Sequence, residues 1–161
     1  MPLDIDFSRY PVLVVDDEKD NLDIIRFNFR KVHPLHFASG GEEALEVLKR
    51  EDVACIVSDQ RMPGMTGIEL LKSAREIRRD PVNVLLTAYA DLPVLTEALN
   101  QGLAYRYVGK PWSSEELGHA IRGAVERFHL VRENRRLLEL TQAHNVALQS
   151  EVSEAFNFGE I

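Results

Sequence analysis

VACIVSDQRMPGMTG, Val53 to Gly67, is a run of apolar β-formers that ends on an aspartate, with Met62-Pro63-Gly64 and then Gly67 close behind it. The first half reads as a buried strand. The Pro and Gly of the second half keep the chain from coiling directly into a helix, so Asp59 stands where a buried strand emerges into a loop. A carboxylate there is an address for chemistry.

Similar apolar runs lie on either side of this one: VLVV at Val12 to Val15, LHFA at Leu35 to Ala38, VNVLLT from Val82 and YRYV at Tyr105 to Val108. Between them, Asp20 to Lys31, Glu42 to Arg50, Thr66 to Arg79 and Pro93 to Gln101 repeat apolar residues three or four apart, as in Leu22, Ile25 and Phe29. Strands alternating with helices at this spacing predict repeated βα units and a parallel sheet. Gly40-Gly41, Asp80-Pro81 and Gly102 punctuate the helices where the pattern requires. An antiparallel sandwich would need hairpin turns that the sequence lacks.

A chain of 161 residues suits one α/β domain with a modest extension. The formal charge of −7, from 26 acidic against 19 basic residues, argues against a surface that holds a phosphate backbone, so these residues are not expected to bind nucleic acid. Cys55 is the one cysteine, which excludes an internal disulfide and a multi-cysteine metal site, and its place in the apolar run reads as a buried structural thiol. MPLDIDFSRY has early acids and no apolar core of a leader, and no stretch is long enough to span a bilayer, so a cytoplasmic location is expected.

The last helix departs from the pattern. From Ser113, an N-cap with Glu116 at the capping-box position, only Gly118 and Gly123 interrupt helical sequence before Ser153. A helix of that length runs roughly 60 Å, about twice the diameter of a small domain. Its first part, with Leu117, Ile121, Ala124 and Phe128 on one face, is expected to pack on the sheet. The remainder is expected to leave the globule. The chain therefore divides, in this reading, into a domain over residues 1–128 and a helical linker over 129–161 that leads to an output domain. Leu130, Asn134, Leu137, Thr141, His144 and Leu148 fall at heptad spacing, and a second register through Val131, Asn134, Leu138, Thr141, Asn145, Leu148 and Val152 fits comparably. A weak coiled coil and a solvated linker helix both satisfy this pattern.

In an open parallel sheet, ligands bind beyond the carboxyl ends of the strands where strand order reverses. The first strand ends in Asp16-Asp17, the third in Asp59 and the fourth in Thr87, and Lys110-Pro111 follows the fifth. Carboxylates converging on one edge repel unless a cation joins them. With oxygen ligands and neither thiolate nor imidazole at hand, Mg²⁺ fits that cation best.

These residues resemble the receiver domain of two-component response regulators, the CheY-like phosphoacceptor half of histidine-to-aspartate signalling. The resemblance rests on Asp16-Asp17 after a valine-rich strand, Asp59 with Met62-Pro63-Gly64-Met65 and Gly67, Thr87-Ala88, and Tyr107 before Lys110-Pro111, and covers residues 10 to 128. It implies a flavodoxin-like (βα)5 fold of strand order 2-1-3-4-5. It also implies that Asp59 is phosphorylated by a sensor histidine kinase, and that Asp17, Asp59 and the main-chain carbonyl of Arg61 hold Mg²⁺ while Asp16 works through a metal-bound water. Lys110 and Thr87 would contact phosphoryl oxygens, Ala88 would leave them room, and Thr87 and Tyr107 would form the switch. Such a chain assists its own phosphorylation and dephosphorylation and is not otherwise an enzyme. Arg61 and Tyr89 would flank the phosphoryl site. KPW after the fifth strand, RENRRLLEL in the long helix and the terminal FNFGEI resemble NtrC-like transcriptional activators, with a homodimer through Leu130, Asn134, Leu137 and Leu148 as the expected assembly. A stand-alone receiver that docks a partner, and the receiver of a cyclic-nucleotide enzyme, are the alternatives. A flavodoxin-like nucleotide binder would need a phosphate-cradling loop after the first strand, and DDEKDN is too acidic for that.

Overall fold

Period-two burial organises the core. In the computed structural model of the chain, residues 4–159 are described, apart from the side chains of Tyr89 and of residues 152–159. Five strands, β1 (Val12–Val15), β2 (Leu35–Ala38), β3 (Cys55–Asp59), β4 (Val82–Thr87) and β5 (Arg106–Gly109), form one parallel sheet in the order β2-β1-β3-β4-β5. Leu13, Val15, Ile56 and Leu85 point into one apolar cluster, which α2 (Gly41–Arg50), α3 (Gly67–Ile77) and α4 (Leu92–Asn100) cover with Leu48, Leu71 and Leu95. Val12, Val14, Val57, Val84 and Leu86 point into the other, beneath α1 (Lys19–Phe29) and α5 (Ser114–Gly159). Alternate residues therefore serve opposite faces, and strands buried on both sides carry no polar alternation.

The expected α/β class, strand order and long last helix are all found. Boundaries differ by a residue or two. Val53 and Ala54 are fully buried, but the chain joins the ladder only at Cys55, opposite Val12 and Val82. Apolar sequence records burial, and Ala54, just before the strand, already donates to Pro11 O at 2.8 Å and accepts from Val82 N at 2.9 Å. The fifth strand starts at Arg106, one residue after the expected Tyr105.

Contacts divide the chain into two compact units, broken after Phe128. In the first, α5 opens as expected, the N–H of Glu116 donating to Ser113 Oγ at 3.1 Å. Leu117, Ile121, Ala124 and Phe128 are buried, and Ala120 and Val125 join them. In the second, the α5 backbone stays helical, and Leu130, Asn134, Leu137 and Leu148 are all exposed. Val152 and the terminal FNFGEI lie outside the residues whose side chains are described. Among the described residues, no helix is long and apolar enough to cross a membrane.

The segment before β1 has a structural task. Asp6 caps a 3-10 turn at Phe7–Arg9 by accepting from Ser8 N. Phe7 sets its ring edge-on to His33 with centroids 5.6 Å apart, and Arg122 of α5 lies 5.4 Å from the Phe7 centroid. His33 is 3% exposed, and its Nδ1 has no hydrogen-bond partner among the described residues. Burial, and then the charge of Arg122, lowers its pKa from 6.5 to about 4. The folded state thus refuses a proton that the unfolded chain accepts below pH 6.5, and stability falls as pH drops from there toward about 4. The loss across that window is expected to be on the order of 3 kcal/mol. Denaturant titrations across the window should show a shallower acid limb for His33→Phe than for wild type, and equal slopes would refute the assignment.

Candidate functional site

β1 lies between β2 and β3, so the chain leaves it in one direction through α1 and returns past it through α2. The carboxyl ends of β1 and β3 consequently flank the crevice where strand order reverses. Asp16 and Asp17 follow β1, and Asp59 ends β3. Among the described residues these three form one group whose carboxylate oxygens lie within 4.8 Å of one another. Lys110 Nζ is 2.8 Å from Asp59 Oδ1.

Each member is held by its neighbours. Asp16 is 1% exposed and accepts from Glu18 N at 2.9 Å and from Asn21 Nδ2 at 3.1 Å. Burial raises its pKa and the Glu18 hydrogen bond opposes this, while the charge of Asp59 adds to the rise. Asp17 is exposed. Lys110 N donates to Thr87 O at 2.8 Å, which ties the end of β5 to that of β4, and the Lys110–Pro111 peptide bond is cis. Thr87 is buried and its hydroxyl donates to Ala88 O at 2.9 Å, while Ala88 itself is exposed.

The donor set suits a hard cation: it is all carboxylate, and one lysine faces three acids. No thiolate or imidazole belongs to the group, which fits Mg²⁺ better than zinc or copper.

The loop after Asp59 is braced by a residue that sequence reading passed over. Gln60 is buried, accepts Gly67 N on its carbonyl at 3.0 Å and accepts Ile68 N on Oε1 at 3.0 Å. It thereby closes the loop onto the start of α3. That helix carries its own capping box between Thr66 and Glu69. Gly64 turns the loop at φ +80°, a conformation open to glycine. Met62 is buried and Met65 packs beside the same core.

Arg61 faces a second partner. Its Nε and Nη2 lie 3.0 and 3.1 Å from the carboxylate of Asp91, a bidentate pair joining the loop after β3 to the turn before α4. That hydrogen bond, and then the Asp91 charge, raises the guanidinium pKa. Tyr107 is 38% exposed on β5, and Tyr105, its near neighbour, lies against Gly123 with the Arg127 guanidinium 5.6 Å from its ring centroid. The two tyrosines therefore differ in their surroundings, Tyr105 being engaged by α5.

The response regulator receiver domain family matches residues 12–122. The chain belongs to this family. The chain is 36% identical over 93% of its length to the hydrogenase transcriptional regulatory protein HoxA of Cupriavidus necator, of which it covers 33%. It is 31% identical over 85% of its length to the C4-dicarboxylate transport transcriptional regulatory protein DctD of Rhizobium meliloti, covering 30% of that protein. The chain thus spans about a third of the length of these relatives. Both are transcriptional regulators, in agreement with the resemblance to NtrC-like activators. Among solved structures, one described as adenylate cyclase from Rhodopirellula baltica superposes with a TM-score of 0.79 at 32% identity, over 80% of this chain and 96% of that one. A response regulator receiver domain protein from Clostridium thermocellum gives 0.71 at 27% identity, over 76% and 98%.

Proposed function

We propose that the receiver takes a phosphoryl group from the phosphohistidine of a sensor kinase onto Asp59. The observation that carries this reading is the position of the Asp59 carboxylate, beside two further carboxylates and 2.8 Å from the Lys110 ammonium. An Asp59 oxygen forms the new P–O bond while the P–N bond of the donor breaks and the imidazole nitrogen leaves with its electron pair. Asp17, Asp59 and the main-chain carbonyl of Arg61 would hold Mg²⁺, with Asp16 completing the acidic wall. When bound, the ion neutralises charge that would otherwise keep an anionic nucleophile from an anionic phosphoryl group. Lys110 exchanges its hold on the carboxylate for a phosphoryl oxygen, Thr87 turns its hydroxyl from the Ala88 carbonyl toward another, and Ala88 leaves space for them. Tyr107 then moves inward from its half-exposed position as the turn after β4 shifts.

Asp17→Asn separates the metal from the nucleophile. Labelling by acetyl phosphate is expected to slow by roughly tenfold to a hundredfold, with part of the rate recovered in excess Mg²⁺. Labelling that ignored Mg²⁺ in both proteins would overturn this reading.

The whole protein would be an NtrC-like transcriptional regulator with its output domain beyond the long helix, residues 1–128 forming the receiver and 129–161 the linker. The likeness to HoxA covers 157 residues and so reaches into that helix. The structure described as an adenylate cyclase favours a second reading, the receiver of a cyclic-nucleotide enzyme, over 80% of the chain. A parallel pairing of two α5 segments through Leu130, Asn134, Leu137 and Leu148 would cover leucines exposed in the single chain, with Asn134 fixing register. Sedimentation should find a dimer at micromolar concentration, lost on truncation after Phe128 and weakened by Leu137→Asp. A monomer at every concentration would refute the stalk.

A further inference from the structure

Asp91 opens α4 without capping it. It occupies the N-cap position, yet its side chain makes no capping hydrogen bond, and Arg61 takes the carboxylate instead. An aspartate at an N-cap ordinarily accepts from the second or third helical N–H. Here the second position is Pro93, which has none, so the N–H of Val94 is the donor this carboxylate would satisfy. The carboxylate thus has one partner in place, a guanidinium in the loop after β3, and a second within the reach of an N-cap residue, an amide in the first turn of α4.

The Arg61 side chain is 70% exposed and that of Asp91 16%, so the guanidinium end of the pair stands in solvent and is free to exchange partners. Arg61 also stands two residues beyond Asp59 in the same loop. A phosphoryl group there presents more negative charge and more acceptor oxygens than a single carboxylate, and is the stronger partner for a guanidinium. Released from Arg61, Asp91 gains most by turning to the positive end of α4. The turn that carries the carboxylate is already closed on the switch segment, since Asp91 N donates to Ala88 O at 3.1 Å.

We propose that Asp91 is a positioning residue that holds Arg61 while Asp59 is free and, once Asp59 carries a phosphoryl group, exchanges Arg61 for the N–H of Val94, capping α4 in step with loading. The proposal rests on Asp59 as the acceptor, and it names the element through which that site would be read.

The Val94 amide resonance in ¹⁵N NMR, recorded with and without acetyl phosphate and Mg²⁺, tests it, with Asp59 loading followed by intact mass in the same samples. In wild type this amide is expected to move downfield on loading. Asp91→Asn caps a helix about as well as aspartate but carries no charge for Arg61, so Val94 should sit at the loaded position before any donor is added. Asp91→Ala can do neither, and should leave Val94 at the unloaded position in both conditions. A Val94 resonance in unloaded Asp91→Asn that coincides with unloaded wild type, or one that stays put when wild type is loaded, would overturn the exchange. Should the mass show no loading of wild type, the acceptor reading falls, while the Asp91→Asn arm, which needs no phosphoryl group, still decides whether Asp91 has two partners.

Discussion

Asp59→Asn is expected to cut labelling by acetyl phosphate or a phosphohistidine donor by on the order of a thousandfold or more. The amide keeps the shape of the side chain, so β3 and its pairing with β1 and β4 should persist, but its oxygen is neutral and cannot displace the donor. A secondary effect distinguishes chemistry from damage. The charge of Asp59 contributes to the raised pKa of Asp16, so removing it should lower the Asp16 pKa toward its ordinary value. Relief of that repulsion and loss of the Lys110 ion pair act in opposite directions on stability. Phosphoryl label on another residue at the wild-type rate would refute the role given to Asp59. An unchanged Asp16 titration would show that the two carboxylates are not coupled.

Gly67→Ala should be the most damaging single methyl in the receiver. A Cβ at this position would lie 2.6 Å from the backbone oxygen of Asp59, 2.9 Å from Leu85 Cδ2 and 3.1 Å from the Cα of Gln60. Two of these are main chain, so the strain cannot be relieved by a rotamer change. The loss is expected to be about 2–3 kcal/mol, in the range for overpacked interiors. Because the displaced atoms belong to Asp59 and the residue after it, labelling of the folded fraction should drop by about tenfold or more as well. Gly40→Ala is the control, since nothing lies within 4 Å of the Cβ it would gain. Denaturant midpoints and labelling rates for the pair measure both effects. Equal midpoints would mean the loop can yield where the packing says it cannot.

The sheet and the acidic group were legible in sequence because each strand announces itself by apolar residues and each reactive residue stands at a strand end. The Asp16-Asp17 pair, Asp59 and Lys110 are far apart in the chain, but the order of βα units brings those ends to one edge. What was illegible depends on side chains meeting across that edge. Arg61 and Asp91 are thirty residues apart, and neither belongs to a pattern that announces the other. Gln60 belongs to no motif, yet the loop turns it inward to receive Ile68 N. Its only sequence cue was its place next to Asp59 at the end of a buried run. Phe7 and His33 found each other over α5, a pairing set by tertiary packing, which the residues between them do not encode.

Cys55 gives the receiver a clock of its own. The thiol is fully buried, with Val12 on one side of it in the ladder and Val82 on the other, and burial raises its pKa far above the range of a free cysteine. Alkylating reagents attack the thiolate, so they can reach this sulfur only when the centre of the sheet comes apart. When reclosing is fast, the rate of modification in native buffer reports the population of that open state. With a single cysteine in the chain, every molecule modified has opened at the same strand. Thiol trapping at Cys55 thus turns the stabilisation brought by a cation, a phosphoryl group or a partner into a rate that can be followed without denaturant, on the unaltered protein.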